Sequence, residues 1–205
     1  MEKNLDVVIG SVLGDAHLYK LTKKSKSGIF ISQHDSKYPY LEWLHSKIGK
    51  DFDLHPIRPK TGYKQHYFWS KFNLRFGELR NTFYHGRTKI IPSGIFDLLT
   101  SPRSIAVWYM DDGNLDKRDK YHFNSTFATY CFSFEECRVL CEVLNKNFGI
   151  KASVNQTKMR GKIYPRLYIW SESMNKFINT IKPFINPVFS YKIGDLESSA
   201  YKIGI

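Results

Sequence analysis

The chain has 205 residues, of which 42% are hydrophobic and 16% aromatic, enough apolar surface to bury a core and too much for a disordered tail. Lys and Arg number 31 against 19 Asp and Glu, a net charge of +12, so the expected partner is a polyanion. The basic residues are spread among Tyr, Phe and Trp rather than gathered on one amphipathic stretch, which favours nucleic acid over a membrane surface.

In chain order, the first element is the apolar run Val8-Ile9-Gly10-Ser11-Val12-Leu13-Gly14-Asp15-Ala16, read as a helix that ends in an acid. Val7 to Leu13 is too short for a membrane span, is broken by Gly10 and lacks a cleavage site, so an intracellular protein is expected. Gly28 to His34 and Tyr63 to Ser70 are rich in aromatic and β-branched residues after Gly-containing turns, as hairpin strands are. Pro92 to Pro102 reads as a join. After it, Ile105 to Gly113 (Ile-Ala-Val-Trp-Tyr-Met-Asp-Asp-Gly) forms a second apolar helix and sets Asp112 opposite Asp15. Ser133 and Glu136 make a capping box, followed by Phe134, Cys137, Leu140, Cys141 and Leu144 at helical spacing. Ile163 to Trp170 reads as another strand. Cys131, Cys137 and Cys141 contain no C-x-x-C pair and are expected to be reduced core residues.

These elements repeat. Trp69-Ser70 matches Trp170-Ser171, and Lys89 matches Lys192. The chain therefore divides into halves of 1–98 and 99–205, each read as helix, two strands, helix, two strands, helix. The fold class is α+β, with two antiparallel sheets that pack one face on helices and leave the other wet and basic.

A carboxylate at a helix C-terminus is disfavoured by about 0.3 to 1 kcal/mol, which alone is a minor oddity. If the two apolar helices pack through Gly10, Gly14 and Ala106, however, Asp15 and Asp112 converge, and at roughly 5 Å and an effective dielectric near 20 they repel by about 3 kcal/mol. A divalent cation between them resolves the conflict. Hard oxygen ligands around a small gap suit Mg²⁺, which also binds phosphate oxygens and activates water. The candidate metal ligands are Asp15 and Asp112, with Gly14, Ala16 and Asp111 beside them; Asp111 is secondary, because Gly14 stands at its place in the first copy. Mn²⁺ is expected to substitute, and Ca²⁺ to bind without supporting cleavage. The alternative is a pair of solvated helix ends with Gly113 as an ordinary cap; two copies in register weigh against it. Lys89 and Lys192 are candidates for charge stabilisation at a phosphate or for surface lysines, between which the sequence does not choose. Gln33 is a candidate to orient a water.

The wet sheet faces supply the candidate DNA contacts. These are Lys20, Lys23, Lys24, Lys26, Gln33, His34, Arg58, Lys60, Lys64 and Gln65 from the first half, and Lys117, Arg118, Lys120, Asn124, Asn155, Gln156, Lys158, Arg160, Lys162 and Arg166 from the second. No histidine falls into a metal-ligand spacing, so His17, His34 and the rest read as polar surface.

Two acid-terminated helices, each heading such a unit, resemble the two-motif, single-chain branch of the LAGLIDADG homing endonucleases over nearly the whole chain. The terminal acid of each motif, the one the family uses for metal, is kept as Asp15 and Asp112; the family's first acid is replaced by Leu13 and Met110, and Ala16 stands where the family prefers Gly. The resemblance implies a saddle of two sheets on a long, nearly asymmetric duplex, a monomer, cleavage of both strands across the minor groove to leave short 3′ overhangs, and catalytic-pocket roles for Lys89 and Lys192. With only Met1 to Leu5 ahead of the first motif, a freestanding intron-encoded protein is expected. The rival is a binding protein of the same type, an intron RNA maturase or a non-cleaving DNA binder. Tyr109-Met110-Asp111-Asp112 also matches the metal motif of reverse transcriptases, but there it sits on a hairpin of a larger polymerase, whereas here it closes a helix and is duplicated.

Overall fold

The computed structural model describes residues 4–20, 25–118 and 122–194. Its first half runs α1 (Leu5–Leu13), β1 (His17–Lys20), β2 (Ser27–His34), α2 (Tyr38–Ile48), β3 (Arg58–Pro59), β4 (Gln65–Trp69) and α3 (Leu74–Phe83). A small hairpin, β5 (Tyr84–His85) with β6 (Thr88–Lys89), and the short α4 (Ile95–Leu98) lead to the second run. That run is α5 (Pro102–Asp112), β7 (Gly113–Arg118), β8 (His122–Phe127), α6 (Phe134–Phe148), β9 (Ala152–Met159), β10 (Lys162–Ile169) and α7 (Met174–Ile181), closed by a 3-10 turn at Pro187–Lys192. The two main sheets are antiparallel and share one topology, β1-β2-β4-β3 and β7-β8-β10-β9. The expected saddle of duplicated units, with both motif helices at its centre, is the observed architecture.

Local chemistry explains the elements. Ser101 caps α5 by accepting from the Arg103 N–H, with Pro102 in the first turn, where its missing N–H costs nothing. The capping box of α6 is complete, and the helix stops at Gly149, whose φ of 62° is the left-handed conformation glycine adopts freely. Arg160 (φ 47°) and Gly161 (φ 79°) form the two-residue turn between β9 and β10, the conformation that matches the twist of a tight hairpin.

α1 and α5 are the centre of the core, with Val7 to Leu13 and Ser104 to Met110 all buried. They approach closely because Gly10 has no side chain: a Cβ there would lie 2.4 Å from the Ser104 carbonyl oxygen and 2.7 Å from Val107 Cβ. The partners of Gly10 are thus Ser104 and Val107, two positions before and one position after the expected Ala106. At their N-terminal ends the helices are tied by Asp6, which accepts from Arg103 Nη2 at 2.6 Å, Arg103 Nε at 2.8 Å and Ser101 Oγ at 2.8 Å. Burial opposes the Asp6 charge, but these bonds and the guanidinium prevail and hold its carboxyl below the usual range.

Of the cysteines, Cys137 is buried and Cys141 half-buried on α6, whereas Cys131, expected in the core, is exposed in the loop before that helix. Among the described residues, no helix is long and apolar enough to cross a membrane.

Candidate metal centre and nucleic-acid interface

α1 ends at Leu13, two residues before Asp15, because Gly14 leaves helical geometry (φ −93°, ψ −126°); Asp112 is the last residue of α5. Both acids are nonetheless delivered to one end of the helix pair. The Gly14 N–H still bonds Gly10 O and the Ala16 N–H bonds Ser11 O, but the Asp15 N–H crosses to the other half and donates to Asp111 Oδ2 at 3.2 Å. Asp111 Oδ1 accepts from the Tyr40 hydroxyl at 3.0 Å. Gln33 Nε2 donates to Asp15 Oδ2 at 2.9 Å and lies 3.4 Å from Asp111 Oδ1.

Strand parity explains the position of Gln33. In β2 the buried residues Ile29 and Ile31 point at the helices, and Gln33 continues that alternation to the acid end. Although it was expected to contact DNA as well as to orient water, it is only 9% exposed and is committed to the carboxylates.

The lysines close the site. Lys89 Nζ donates to Gly14 O at 2.8 Å and Ala16 O at 3.3 Å. Lys192 Nζ donates to Met110 O at 2.7 Å and Tyr109 O at 3.3 Å, and is only 9% exposed. Each ammonium thus satisfies carbonyls left free near the end of a motif helix and opposes the negative pole there. Lys89 and Lys192, paired by the repeat, therefore do converge on the two acids.

Charge is imbalanced at this end. Burial first, then the neighbouring Asp15, pushes the Asp112 carboxyl up to about 7, despite Lys89 and Lys192. Burial and Asp15 likewise drive Asp111 well above the carboxylate range. Burial lowers Lys192 to about 8 and also lowers Lys89. Burial and Asp111 keep the Tyr40 phenol protonated, hence a donor. Three carboxylates against two weakened ammoniums, all with oxygen donors nearby, fit a hard divalent cation. Among the described residues there is no cluster of three or more His, Cys, Asp and Glu side chains arranged to hold a metal. A bound ion would therefore complete its shell from main-chain oxygens, water or substrate, as Mg²⁺ ordinarily does.

The wet face of the first sheet holds His17, Tyr19, Phe30, Tyr67 and Trp69 by register. Phe30 stacks on Tyr67, Tyr67 on Trp69 and Trp69 on His55, with Arg58 over Trp69. The ring faces are thus used in stiffening the sheet. Lys20, Lys26, His34, Arg58, Lys60 and Lys64 are exposed and Gln65 half-buried, while Lys23 and Lys24 lie outside the described residues. In the second half Lys117, Asn155, Gln156, Lys158, Arg160 and Lys162 are exposed. Register separates them: Asn155 and Lys162 share the Arg166 face, whereas Gln156 and Lys158 point to the opposite one. Arg166 is half-buried and donates to Thr126. Asn124, expected as a DNA contact, is only 3% exposed, in a central strand whose Asn124 to Phe127 stretch is buried throughout. Arg118 is placed only by its backbone in β7, and Lys120 lies outside the described residues.

Sequence reading missed Tyr40 and the Asp6–Arg103 tie. Tyr40 lies in another helix, 71 residues from Asp111, with no local signal; the one available hint was that Asp111, lacking an acidic counterpart, needed a donor.

With this geometry in hand, the sequence profile of the LAGLIDADG DNA endonuclease family matches residues 5–177. The chain belongs to that family. Among LAGLIDADG relatives, the cytochrome b mRNA maturase bI2 of Saccharomyces cerevisiae is 28% identical over 93% of this chain, which spans 47% of the length of that protein. A probable intron-encoded endonuclease of Wickerhamomyces canadensis is 30% identical over 92% of this chain and 82% of its own length. The LAGLIDADG fold is matched by the homing endonuclease I-WcaI bound to its DNA recognition sequence, with a TM-score of 0.77 and 22% identity, over 95% of this chain and 87% of that one. I-DmoI in complex with DNA and Mn follows at 0.53 and 17%, over 88% and 96%.

Proposed function

We propose that this LAGLIDADG protein is a site-specific DNA endonuclease that makes a metal-dependent double-strand break in a long, nearly asymmetric target and leaves short 3′ overhangs. The observation that carries this reading is the convergence of Asp15 and Asp112, with Lys89 and Lys192, at one end of the duplicated helices. Support for the partner comes from the net charge of +12, the exposed basic residues of both sheets, and the DNA-bound homing endonucleases that share the fold.

A bound Mg²⁺ would supply positive charge at a phosphate and a water of lowered pKa. The protein's own groups do the rest. Asp15 and Asp112 would hold the ion, with main-chain oxygens at Gly14 and Ala16 beside them. Gln33 orients water from beside Asp15, and the two lysines offset charge that builds on the phosphate. The exposed basic residues of the sheets position the duplex through its phosphates.

The test is incubation of the chain with supercoiled plasmid carrying the rejoined sequences that flank its gene, with Mg²⁺. Wild type linearises the plasmid; Asp15→Asn and Asp112→Asn bind it without cutting. Undiminished cutting by either variant refutes the assignment. A second reading, intron RNA maturation, is favoured by the maturase relatives; retarded but uncut DNA in the wild-type lane would support it.

A further inference from the structure

The Asp15 main chain has left α1. Its flanking amides, those of Gly14 and Ala16, bond back into the helix, and its own bonds out of the half to which it belongs. We propose that Asp111, carried by the second half, is a positioning residue for Asp15 of the first, and that Tyr40 holds Asp111 in place. This rests on the nuclease reading above and assigns Asp111 a role other than metal ligand.

Three contacts define the device. Asp111 Oδ2 receives the Asp15 N–H at 3.2 Å, and Asp111 Oδ1 receives the Tyr40 hydroxyl at 3.0 Å. Gln33 then spans the two carboxylates, at 2.9 Å from Asp15 Oδ2 and 3.4 Å from Asp111 Oδ1. The space is made for it: a Cβ on Gly14 would sit 2.5 Å from Asp111 Oδ2 and 2.6 Å from Asp111 Cβ, contacts that real Cβ atoms do not make. Tyr40 is fully buried, has its other contact 3.5 Å away at Val107 O, and packs edge-on against Phe189. It therefore has little freedom to leave. An acid set beside two other acids is costly to bury, and a packing role alone would be better served by an apolar group. What the carboxylate supplies is two acceptors in fixed directions, one for the Asp15 amide and one for the phenol.

The device has no mirror image. Gly14, the counterpart of Asp111, has no side chain, so nothing from α1 reaches Asp112 in the same way, and Asp112 is held inside its own helix. The first-half acid is thus placed by the second half, while the second-half acid is not placed by the first.

The experiment is a calorimetric Ca²⁺ titration of the full chain, paired with cleavage of the gene-flank plasmid as a function of Mg²⁺, for wild type, Tyr40→Phe, Asp111→Asn and Gly14→Ala. Loss of an outer hydrogen bond that orients a metal ligand lowers metal affinity about 10- to 100-fold. All three variants are expected to weaken Ca²⁺ binding by that factor and to need correspondingly more Mg²⁺, with the cutting rate restored at saturation. A merely structural role would not produce rescue by metal alone. Wild-type affinity in Tyr40→Phe with a loss only in Asp111→Asn would make Asp111 a direct ligand and overturn the proposal, as would a rate that saturating Mg²⁺ fails to restore. A wild-type chain that neither binds Ca²⁺ nor cuts overturns the nuclease reading itself; variants that match an active wild type overturn only this inference.

Discussion

Replacing Gly10 by alanine should destabilise the protein, against the usual benefit of alanine in a helix. Gly10 lies inside α1, where alanine is ordinarily better by about 0.8–1.0 kcal/mol. Its added Cβ would stand 2.4 Å from Ser104 O and 2.7 Å from Val107 Cβ. The first of these is main chain, which cannot rotate away, so α1 and α5 must separate by about 1 Å to reach ordinary contact. Overpacking costs about 1–3 kcal/mol, and a 2.4 Å contact with immovable main chain belongs in the upper half of that range, about 2–3 kcal/mol, leaving a net loss of about 1–2 kcal/mol after the helical gain. For a chain of this size each kcal/mol lowers Tm by about 2–4 °C, so a drop of about 2–8 °C is expected in circular-dichroism melts. Gly94→Ala, at a glycine with nothing within 4 Å of the added Cβ, serves as the control and should melt near wild type. Because the same separation pulls Asp15 away from Asp112, plasmid cutting by Gly10→Ala should fall below wild type well under its Tm. A Gly10→Ala protein that melts at or above wild type would refute the close-packed helix pair as the source of the acid geometry.

Three further outcomes follow from the site. Lys192→Met should reduce cutting by about 10²- to 10³-fold with DNA retardation unchanged; undiminished cutting would leave Lys192 only a helix cap. In metal-free buffer Asp112 has a folded pKa near 7 against 3.8 when unfolded. Between those values the native state holds the extra proton, so this group's contribution to stability falls as pH rises toward 7 and stays low above it. Asp112→Asn should therefore raise Tm more at pH 8 than at pH 5, and an equal gain at both would contradict the raised pKa. Arg103→Met, which strips Asp6 of its part-buried partner, should cost about 1–3 kcal/mol in urea denaturation. Because the Asp6 pKa is lowered, this stabilisation is present above pH 3.8 and fades as the pH falls through the folded value.

The repeat, the apolar motif helices, the capping box and the strands β2, β4 and β10 were legible in the sequence because each is written in local periodicity or capping chemistry. Asp15, Asp112, Lys89 and Lys192 were found because duplication marked them twice. Tyr40 and the Asp6–Arg103 pair were not, because each is a single residue whose partner lies across the interface between halves, where no local pattern records it. Asn124 misled for a different reason: strand alternation says which face a side chain takes, but not whether its neighbours cover it. The same limit applies to Gln33, where parity placed the residue on the helix side and burial then removed it from the DNA face.

The ties between α1 and α5, Asp6 with Arg103 at one end and the Asp15 amide with Asp111 at the other, bear on how such a protein could be re-engineered. Recombining its amino-terminal portion with the carboxy-terminal portion of a cousin, to read a hybrid target, would leave an acid at position 6 and an amide at position 15 searching for absent mates. A chimera that imports an arginine and an aspartate at positions 103 and 111 should assemble where one lacking them does not.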